Sequence, residues 1–404
     1  MSTAAVSTPS GAVPGIGEVF GFAQQEIRHA AAELWPHAVV DLDEHVPSVT
    51  GYVRRIRVDD RPLYAKHSFL GVSLVSLLRG ACGDWEEVRA AQQTYVSQPG
   101  SLMEREAAQL RLLAEVGRPR VCAVAGVSHG VLFTEPVSGP TLAGLLLDRP
   151  QEAADLLGRT FAELRRLHQP TTAQRLGPSG VIGERSIAGT FQRKFNGISG
   201  RTYLDRLGVE RCEPGQREEV AGVLRQVVAR LHRLRATVLP QARQVLAYGD
   251  LKPEHVAFPD GTSGRPVFID PGLLLAGTSV DAAKLISRTV LLLASARPTP
   301  QVASQAADGI HGFAESRMRG LSTKSRRGWL RELLALWLMD SVNILTTYLS
   351  APAALPLPGQ GTALIGRAVE LCRMADRIST GLADRSDART VWEHALAEAQ
   401  AVMS

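Results

Sequence analysis

Two aspartates frame the stretch VLAYGDLKPEHVAFPDGTSGRPVFIDPG, residues 245–272. Asp250 follows the apolar run Val245–Ala247, and Asp270 closes the run Val267–Ile269. An aspartate in the first position is placed to accept a hydroxyl proton. One at a strand exit is a hard oxygen ligand suited to Mg²⁺, which takes carboxylates together with phosphate oxygens. Pro259-Asp260-Gly261 between them is a turn signal, so the two runs read as a hairpin-like pair with an acid at each end. Lys66, in PLYAKHS, stands on a strand from which an ammonium can reach phosphate groups, and Glu106, on the following helix, can hold that lysine by a charge-assisted pair. Singly, each has an ordinary explanation as an edge lysine, a helix-surface acid or a turn-forming aspartate. In this order they are the parts of a phosphoryl transfer, which needs positioning and charge neutralisation more than covalent chemistry.

The elements that must position these residues are legible in the periodicity. Residues 38–67 read as strands: AVVDL is apolar, GYVRRIRV alternates with charge, and the Asp59-Asp60 turn leads into PLYAKHS with Leu63 and Ala65 on one face and Tyr64 and Lys66 on the other. The stretch of about 68–100 has no clean period and reads as an insertion. In LMEREAAQLRLLAEVG, Leu102, Glu106, Leu110 and Leu113 lie at helical spacing, with Gly117 as a C-cap. CAVAGVSHGVLFTEPV supplies two strands around Ser128–Gly130. From GPTLAGLL onward, amphipathic helices dominate, broken by the two aspartate-bearing runs and by the Pro/Gly linker APAALPLPGQG. The reading is an α+β chain in two lobes. Residues 1–34 are a disordered tail with an N-terminal helix, 35–138 a small antiparallel-sheet N-lobe with one main helix, and 139–404 a larger, mostly helical C-lobe carrying both loops.

Composition narrows the classes. The chain has 404 residues, 45% of them apolar, enough for a sizeable core. Its 45 Lys+Arg against 40 Asp+Glu is a mild positive balance without an aromatic-interleaved basic block, so nucleic acid is not an expected partner. The apolar stretch GWLRELLALWLMDSVNILTTYL is interrupted by Arg331, Glu332 and Asp340 and reads as a core helix rather than a membrane span. Cys82, Cys122, Cys212 and Cys372 are scattered and have no metal-type spacing; with a start that lacks signal-peptide character, they point to a reducing cytoplasm. His67, His129 and His168 carry no pattern.

YGDLKPEHVAF together with VFIDPG resembles the catalytic and metal loops of the aminoglycoside phosphotransferase-like branch of the protein-kinase fold. YAKHS resembles that family's lysine strand, EREAAQLRLL its glutamate helix, VLFTEPVSGPTL its lobe-connecting hinge and FAELRRLH the helix under the catalytic loop. The resemblance covers about 240 residues, from about 45 to 285, in the family's order. It implies ATP or another nucleoside triphosphate and Mg²⁺ as cofactors. Lys66 would contact the α- and β-phosphates and Glu106 would pair with it, with Glu104 as the competing acid. The backbone around Glu135–Val137 would hold adenine. Asp250 would be the catalytic acceptor, Lys252 would stabilise the transferring group, Asp270 would be the principal Mg²⁺ ligand, and Asp281 would brace the catalytic loop.

Three positions depart from the family pattern. Tyr248 replaces a structural histidine, His255 the asparagine of the second metal contact, and PSVTGYV offers only Gly51 to cover the phosphates. The acceptor side lacks an acidic cluster; SIAGTFQRKFNGISGRTYLDR and the run from Arg317 to Arg331 are basic, which argues against a polycationic aminoglycoside. The leading expectation is therefore a phosphotransferase acting on a small-molecule hydroxyl. Two other readings stand beside it: a kinase of peptide Ser/Thr working with a partner lyase, and a pseudokinase that binds nucleotide or a partner without turnover.

Overall fold

The structure, a computed structural model, describes residues 13–176, 180–183, 185–239, 245–384 and 386–404. In chain order the first elements are α1 (Ile16–Leu34), β1 (Val40–Val46), β2 (Tyr52–Val58), β3 (Arg61–His67), α2 (Leu74–Leu77), α3 (Trp85–Val96) and α4 (Leu102–Val116). Then come β4 (Arg120–Val121), β5 (Val124–Ser128), β6 (Val131–Thr134), α5 (Leu142–Asp148), α6 (Ala153–Glu163), α7 (Pro170–Leu176), α8 (Ile187–Phe195), α9 (Gly197–Asp205) and α10 (Pro214–Val238). The two loops carrying Asp250 and Asp270 are built on β7 (Val245–Ala247), β8 (Val256–Ala257), β9 (Val267–Phe268) and β10 (Leu274–Ala276). Helices α11 (Ser279–Ala296), α12 (Pro300–Met318), α13 (Thr323–Leu349), α14 (Gly359–Gly366), α15 (Ala368–Ala383) and α16 (Ala388–Met403) complete the chain.

The described residues divide into two compact units: one runs up to Ala107 with Val124–Pro136 and Ala351–Pro358, the other takes Ala108–Ala123, Val137–Ser350 and Gly359–Ser404. The first is an antiparallel sheet of order β1-β2-β3-β6-β5. Strand β3 alternates as its sequence demands, burying Leu63, Ala65 and His67 and leaving Tyr64 and Lys66 on the other face. Helix α1 buries Val19, Ala23, Ile27, Ala30 and Ala31, a stripe at helical spacing, in one core with Tyr52, Ile56 and Phe133. The α1 helix is thus part of the sheet unit rather than an appendage before residue 35. The stretch 68–100 folds as α2 and α3, with Asp84 capping α3 through the backbone N–H of Glu87. The Pro/Gly segment after α13 returns to the first unit, where Ala351 and Leu355 are buried in the core. These two assignments and that of 108–123 differ from a division into consecutive ranges, because packing partners are set in three dimensions and not by chain order.

The second unit is mostly helical. One feature of it corrects the sequence reading: Val245–Ala247 and Val267–Ile269 do not pair with each other. Strand β7 pairs antiparallel with β10, Leu274 opposite Ala247. Strand β9 lies between β8, antiparallel, and β4, parallel. The reason is local. Both flanks of β9 are occupied, one by the apolar pair Val256–Ala257 and the other by Arg120–Val121, and Pro271-Gly272 turns the chain so that Leu274–Ala276 comes back along β7.

Candidate active site

In the first unit, the outward face of β3 presents Lys66 opposite Val53 of β2 and Leu132 of β6. Its Nζ lies 2.8 Å from Glu106 Oε1 on α4, and each side chain is only 14% exposed. An ion pair so shielded holds its geometry better than a surface pair, since water screens it less. Gly51, at the entry to β2, has a backbone reason to be glycine: a Cβ there would come within 3.1 Å of the His67 carbonyl oxygen. Glu135, just past β6, forms an ion pair with Arg61 through its side chain.

In the second unit, Val137 precedes Gly139, whose φ is +90° and whose absent Cβ would stand 2.6 Å from the Phe258 carbonyl oxygen. Phe258 N donates to Pro140 O, so this segment lies along the end of β8.

The two aspartate loops are clasped through backbone. Gly272 N donates to Tyr248 O at 3.0 Å, and a Cβ on Gly249 would lie 2.0 Å from the Gly272 carbonyl oxygen. Gly249 also has φ +84°, a left-handed conformation that glycine alone adopts without cost. Tyr248 Oη donates to Ile269 O at 2.8 Å, tying the residues before Asp250 and Asp270 together a second time. Beneath them sits Asp281 on α11, with no solvent exposure. It accepts from Tyr248 N and Gly249 N, both at 2.8 Å, and its Oδ2 lies 2.9 Å from His168 Nε2. The segment Tyr248–Asp250 is thereby fixed from below by a buried carboxylate and from the side by Gly272.

Asp250 itself is held by two lysines. Lys252 Nζ lies 2.7 Å from Oδ2, and Lys284 Nζ lies 3.2 Å from Oδ1. Burial pushes the Asp250 carboxyl up, but Lys252, Lys284, His255 and Arg288 outweigh it and hold it well below the ordinary aspartate range. The Lys252 ammonium moves down, burial being the larger cause and the neighbouring Arg288 and Lys284 adding to it against Asp250. Lys284 also reaches Asp340 Oδ1 at 3.2 Å on α13, where Arg288 binds the same carboxylate at 2.6 Å. Asp270 stands at φ +55°, an uncommon conformation for a residue with a Cβ, next to His255, whose Nε2 is 3.4 Å from Asp270 Oδ2. The His255 backbone sets this approach, since Ile269 N donates to His255 O at 3.0 Å.

The structure therefore brings Asp250, Lys252, His255, Asp270 and Asp281 into one constellation in the second unit and joins Lys66 to Glu106 in the first. Glu104 does not appear in that pair. Sequence reasoning missed Lys284, Arg288 and Asp340. A signal existed: Lys284 and Arg288 follow Asp281 by one and two helical turns, so the face of α11 that braces the loop must also carry their charges toward it.

Residues 96–321 match the family described as the phosphotransferase enzyme family. No curated protein sequence matches the chain. Among solved structures, a microcompartment-associated aminopropanol kinase is similar over 91% of this chain and 99% of its own, at 17% identity and a TM-score of 0.54. An aminoglycoside-3'-phosphotransferase of type VIII matches over 77% of this chain and 99% of its own at 21% identity and a TM-score of 0.43, and a Plasmodium vivax ethanolamine kinase over 92% and 91% at 11% identity and 0.45. The likeness to the first of these is one of fold, and the fold is the α+β, protein-kinase-like arrangement that the sequence motifs imply.

Proposed function

We propose, from the premise that this chain belongs to the phosphotransferase enzyme family, that it transfers the terminal phosphoryl group of ATP to a hydroxyl of a neutral or anionic small molecule. The observation that carries this reading is the position of Asp250, fixed by a doubly anchored loop and flanked by Lys252 and Lys284. An acceptor hydroxyl donates its hydrogen bond to Asp250, which orients the oxygen toward the γ-phosphorus. As the new O–P bond forms, the bond to the bridging oxygen of ADP breaks, and the hydroxyl proton passes to the carboxylate. A carboxylate with so depressed a pKa is ionised at neutral pH but is a weak base. The proton therefore moves late, as a loose transition state requires. The Lys252 ammonium beside the same carboxylate offsets charge on the transferring group.

Lys66, held by Glu106, takes the α- and β-phosphates, and the backbone from Glu135 to Val137 takes the adenine ring. Asp270 fits a magnesium ion by the chemistry of its donor: a hard carboxylate oxygen, with phosphate oxygens and water to complete the set. His255 offers the softer imidazole beside it. Bound there, magnesium would neutralise phosphate charge.

The acceptor class follows from charge. The lysines in contact with Asp250 are balanced by Asp250 and Asp340, so the acceptor class rests on the basic segments SIAGTFQRKFNGISGRTYLDR and Arg317–Arg331, which disfavour a polycation and accommodate a neutral or acidic acceptor. A second reading, an acidic peptide as the hydroxyl-bearing substrate, rests on a cavity of about 500 Å³ in the second unit. Its lining includes Arg230, Arg233, Arg327 and Arg331 beside Leu234, Thr237, Val238 and Ala383, with Arg230 already paired to Asp376. The test is a thermal-shift titration with ATP, with and without Mg²⁺, on the parent chain and Asp270→Ala, followed by ATP-consumption assays across neutral, acidic and polycationic acceptors and acidic peptides. The proposal expects a metal-dependent rise in the parent that Asp270→Ala loses, and turnover on neutral or acidic hydroxyl compounds. Metal-indifferent binding without turnover would make the chain a pseudokinase, and turnover confined to polycations would overturn the acceptor class.

A further inference from the structure

The second concentration of chemistry lies in the first unit, away from the residues discussed so far. Glu26 and His29 are one helical turn apart on α1, and Glu33 follows one turn further along the same face. Facing them is His129, at the tip of the turn between β5 and β6. We propose that Glu26, His29 and His129, with Glu33 behind them, form a binding site for a first-row transition-metal dication, with zinc as the metal of choice.

Three observations support this. The candidate ligand atoms of Glu26, His29 and His129 all lie within 4.8 Å of one another. A tetrahedral zinc with bonds of about 2.0–2.1 Å needs its donors roughly 3.4 Å apart, so the group must close by up to about 1.4 Å. The two imidazoles are stacked, ring centroids 4.4 Å apart and planes 22° from parallel. Stacked rings do not converge their in-plane lone pairs, so binding requires His29, which is at the surface, to rotate about its terminal side-chain bond. Second, His129 is already oriented. Glu33 Oε2 lies 2.7 Å from its Nε2 and accepts from Ser128 Oγ at 2.5 Å. A carboxylate behind one ring nitrogen places the proton there and leaves Nδ1 as the donor, the arrangement by which proteins orient metal-binding histidines. Third, the residue is held in place by the hairpin itself, since a two-residue type I′ turn needs positive φ at both central positions. His129 has φ +47° and is followed by Gly130 at +68°, where a Cβ would meet Val96 Cγ1 at 2.5 Å. A left-handed non-glycine residue costs about 1 kcal/mol or more.

The donor chemistry separates this site from the magnesium ligand proposed for Asp270. Two imidazoles with a carboxylate are zinc-type donors, whereas magnesium takes oxygen. A zinc ion here would clasp α1 to the β5–β6 turn within the sheet unit and stabilise it against unfolding.

The experiment is a calorimetric titration of zinc into the full chain, the parent compared with His29→Ala, His129→Ala and Asp270→Ala, paired with Co²⁺ absorption spectra. The proposal expects saturable binding in the parent and in Asp270→Ala, weakened roughly tenfold or more by each histidine substitution. It also expects a cobalt spectrum without the sulfur charge-transfer band that binding at the free cysteines would give, and a zinc-dependent rise in unfolding midpoint that His29→Ala lacks. No saturable binding in the parent, an affinity unchanged from the parent in either histidine variant, or a sulfur band would each overturn it.

Discussion

Lys284 Nζ stands 3.2 Å from Asp250 Oδ1 and the same distance from Asp340 Oδ1, so one ammonium on α11 joins the proposed catalytic carboxylate to a buried acid on α13. Arg288 holds Asp340 from the other side at 2.6 Å. Asp250 is therefore braced by a chain of alternating charges, and its other oxygen is covered by Lys252. Lys284→Met removes one of the cations that depress the Asp250 carboxyl. The expected result is an acid limb of the pH–rate profile that moves to higher pH, because protonation of Asp250 then begins earlier. The Arg288–Asp340 pair keeps α11 and α13 together, so the fold should survive. A variant with a lower rate but an unmoved acid limb would show that Lys284 acts on packing alone.

The bracing acid offers a separable test. Asp281, with no solvent exposure, receives two backbone N–H groups and lies against His168. Asp281→Ala leaves those partners unpaired, Tyr248 N among them fully buried, a loss on the order of 3–5 kcal/mol. Denaturant midpoints would measure it. Asp281→Asn retains an acceptor and should fall between. In both, turnover should drop more than nucleotide affinity, because the displaced residues carry Asp250 rather than Lys66.

Gly249→Ala addresses the clasp between the loops. The new Cβ would meet the Gly272 carbonyl oxygen at 2.0 Å, and φ of +84° would be strained for alanine in any case. The two effects together should cost about 2 kcal/mol or more and separate the segments bearing Asp250 and Asp270. Turnover should fall about 10²–10⁴-fold, the contribution of a positioned acid–base group. Near-normal turnover in a folded Gly249→Ala protein would mean that the clasp does not set the position of Asp250.

The elements holding these groups were legible wherever a period persists over several turns or alternations. Helix α4 from Leu102 and the strand carrying Lys66 are cases, and in the latter the alternation of Leu63 and Ala65 with Tyr64 and Lys66 gives the facing directly. What could not be read was pairing between short runs. Val245–Ala247 and Val267–Phe268 have two or three residues each, too few to specify a partner, and the choice was made by Val256–Ala257, Arg120–Val121 and Leu274–Ala276 from elsewhere in the chain. The candidates Asp250 and Asp270 could be singled out because each sits in a motif, YGDLKPEHVAF and VFIDPG. Lys284 and Asp340 do not. Asp340 sits in a stretch that reads only as apolar, and its function as a counter-charge becomes apparent once α11 lies beside α13.

A last prediction concerns stability rather than turnover. His67 ends β3 in the core of the sheet unit, 1% exposed, with its ring 4.8 Å from Phe69. Burial among these groups pushes its pKa down from 6.5 to about 4. Between those values the unfolded chain binds a proton that the folded chain refuses. Stability from this residue is thus complete above about pH 6.5, declines as pH falls toward 4, and does not change further below it. The full loss is on the order of 3 kcal/mol. The depressed carboxyls of Asp250 and Asp340 add their own acid sensitivity, but at lower pH, since their ordinary values already lie near 3.8. His67→Leu keeps an apolar group of similar bulk and removes the titration. Urea unfolding at pH 7 and pH 4.5 should therefore show a drop of about 2–3 kcal/mol in the parent that the variant largely lacks. Equal drops in both proteins would mean that another group governs acid stability in this window and that His67 accepts its proton in the folded state.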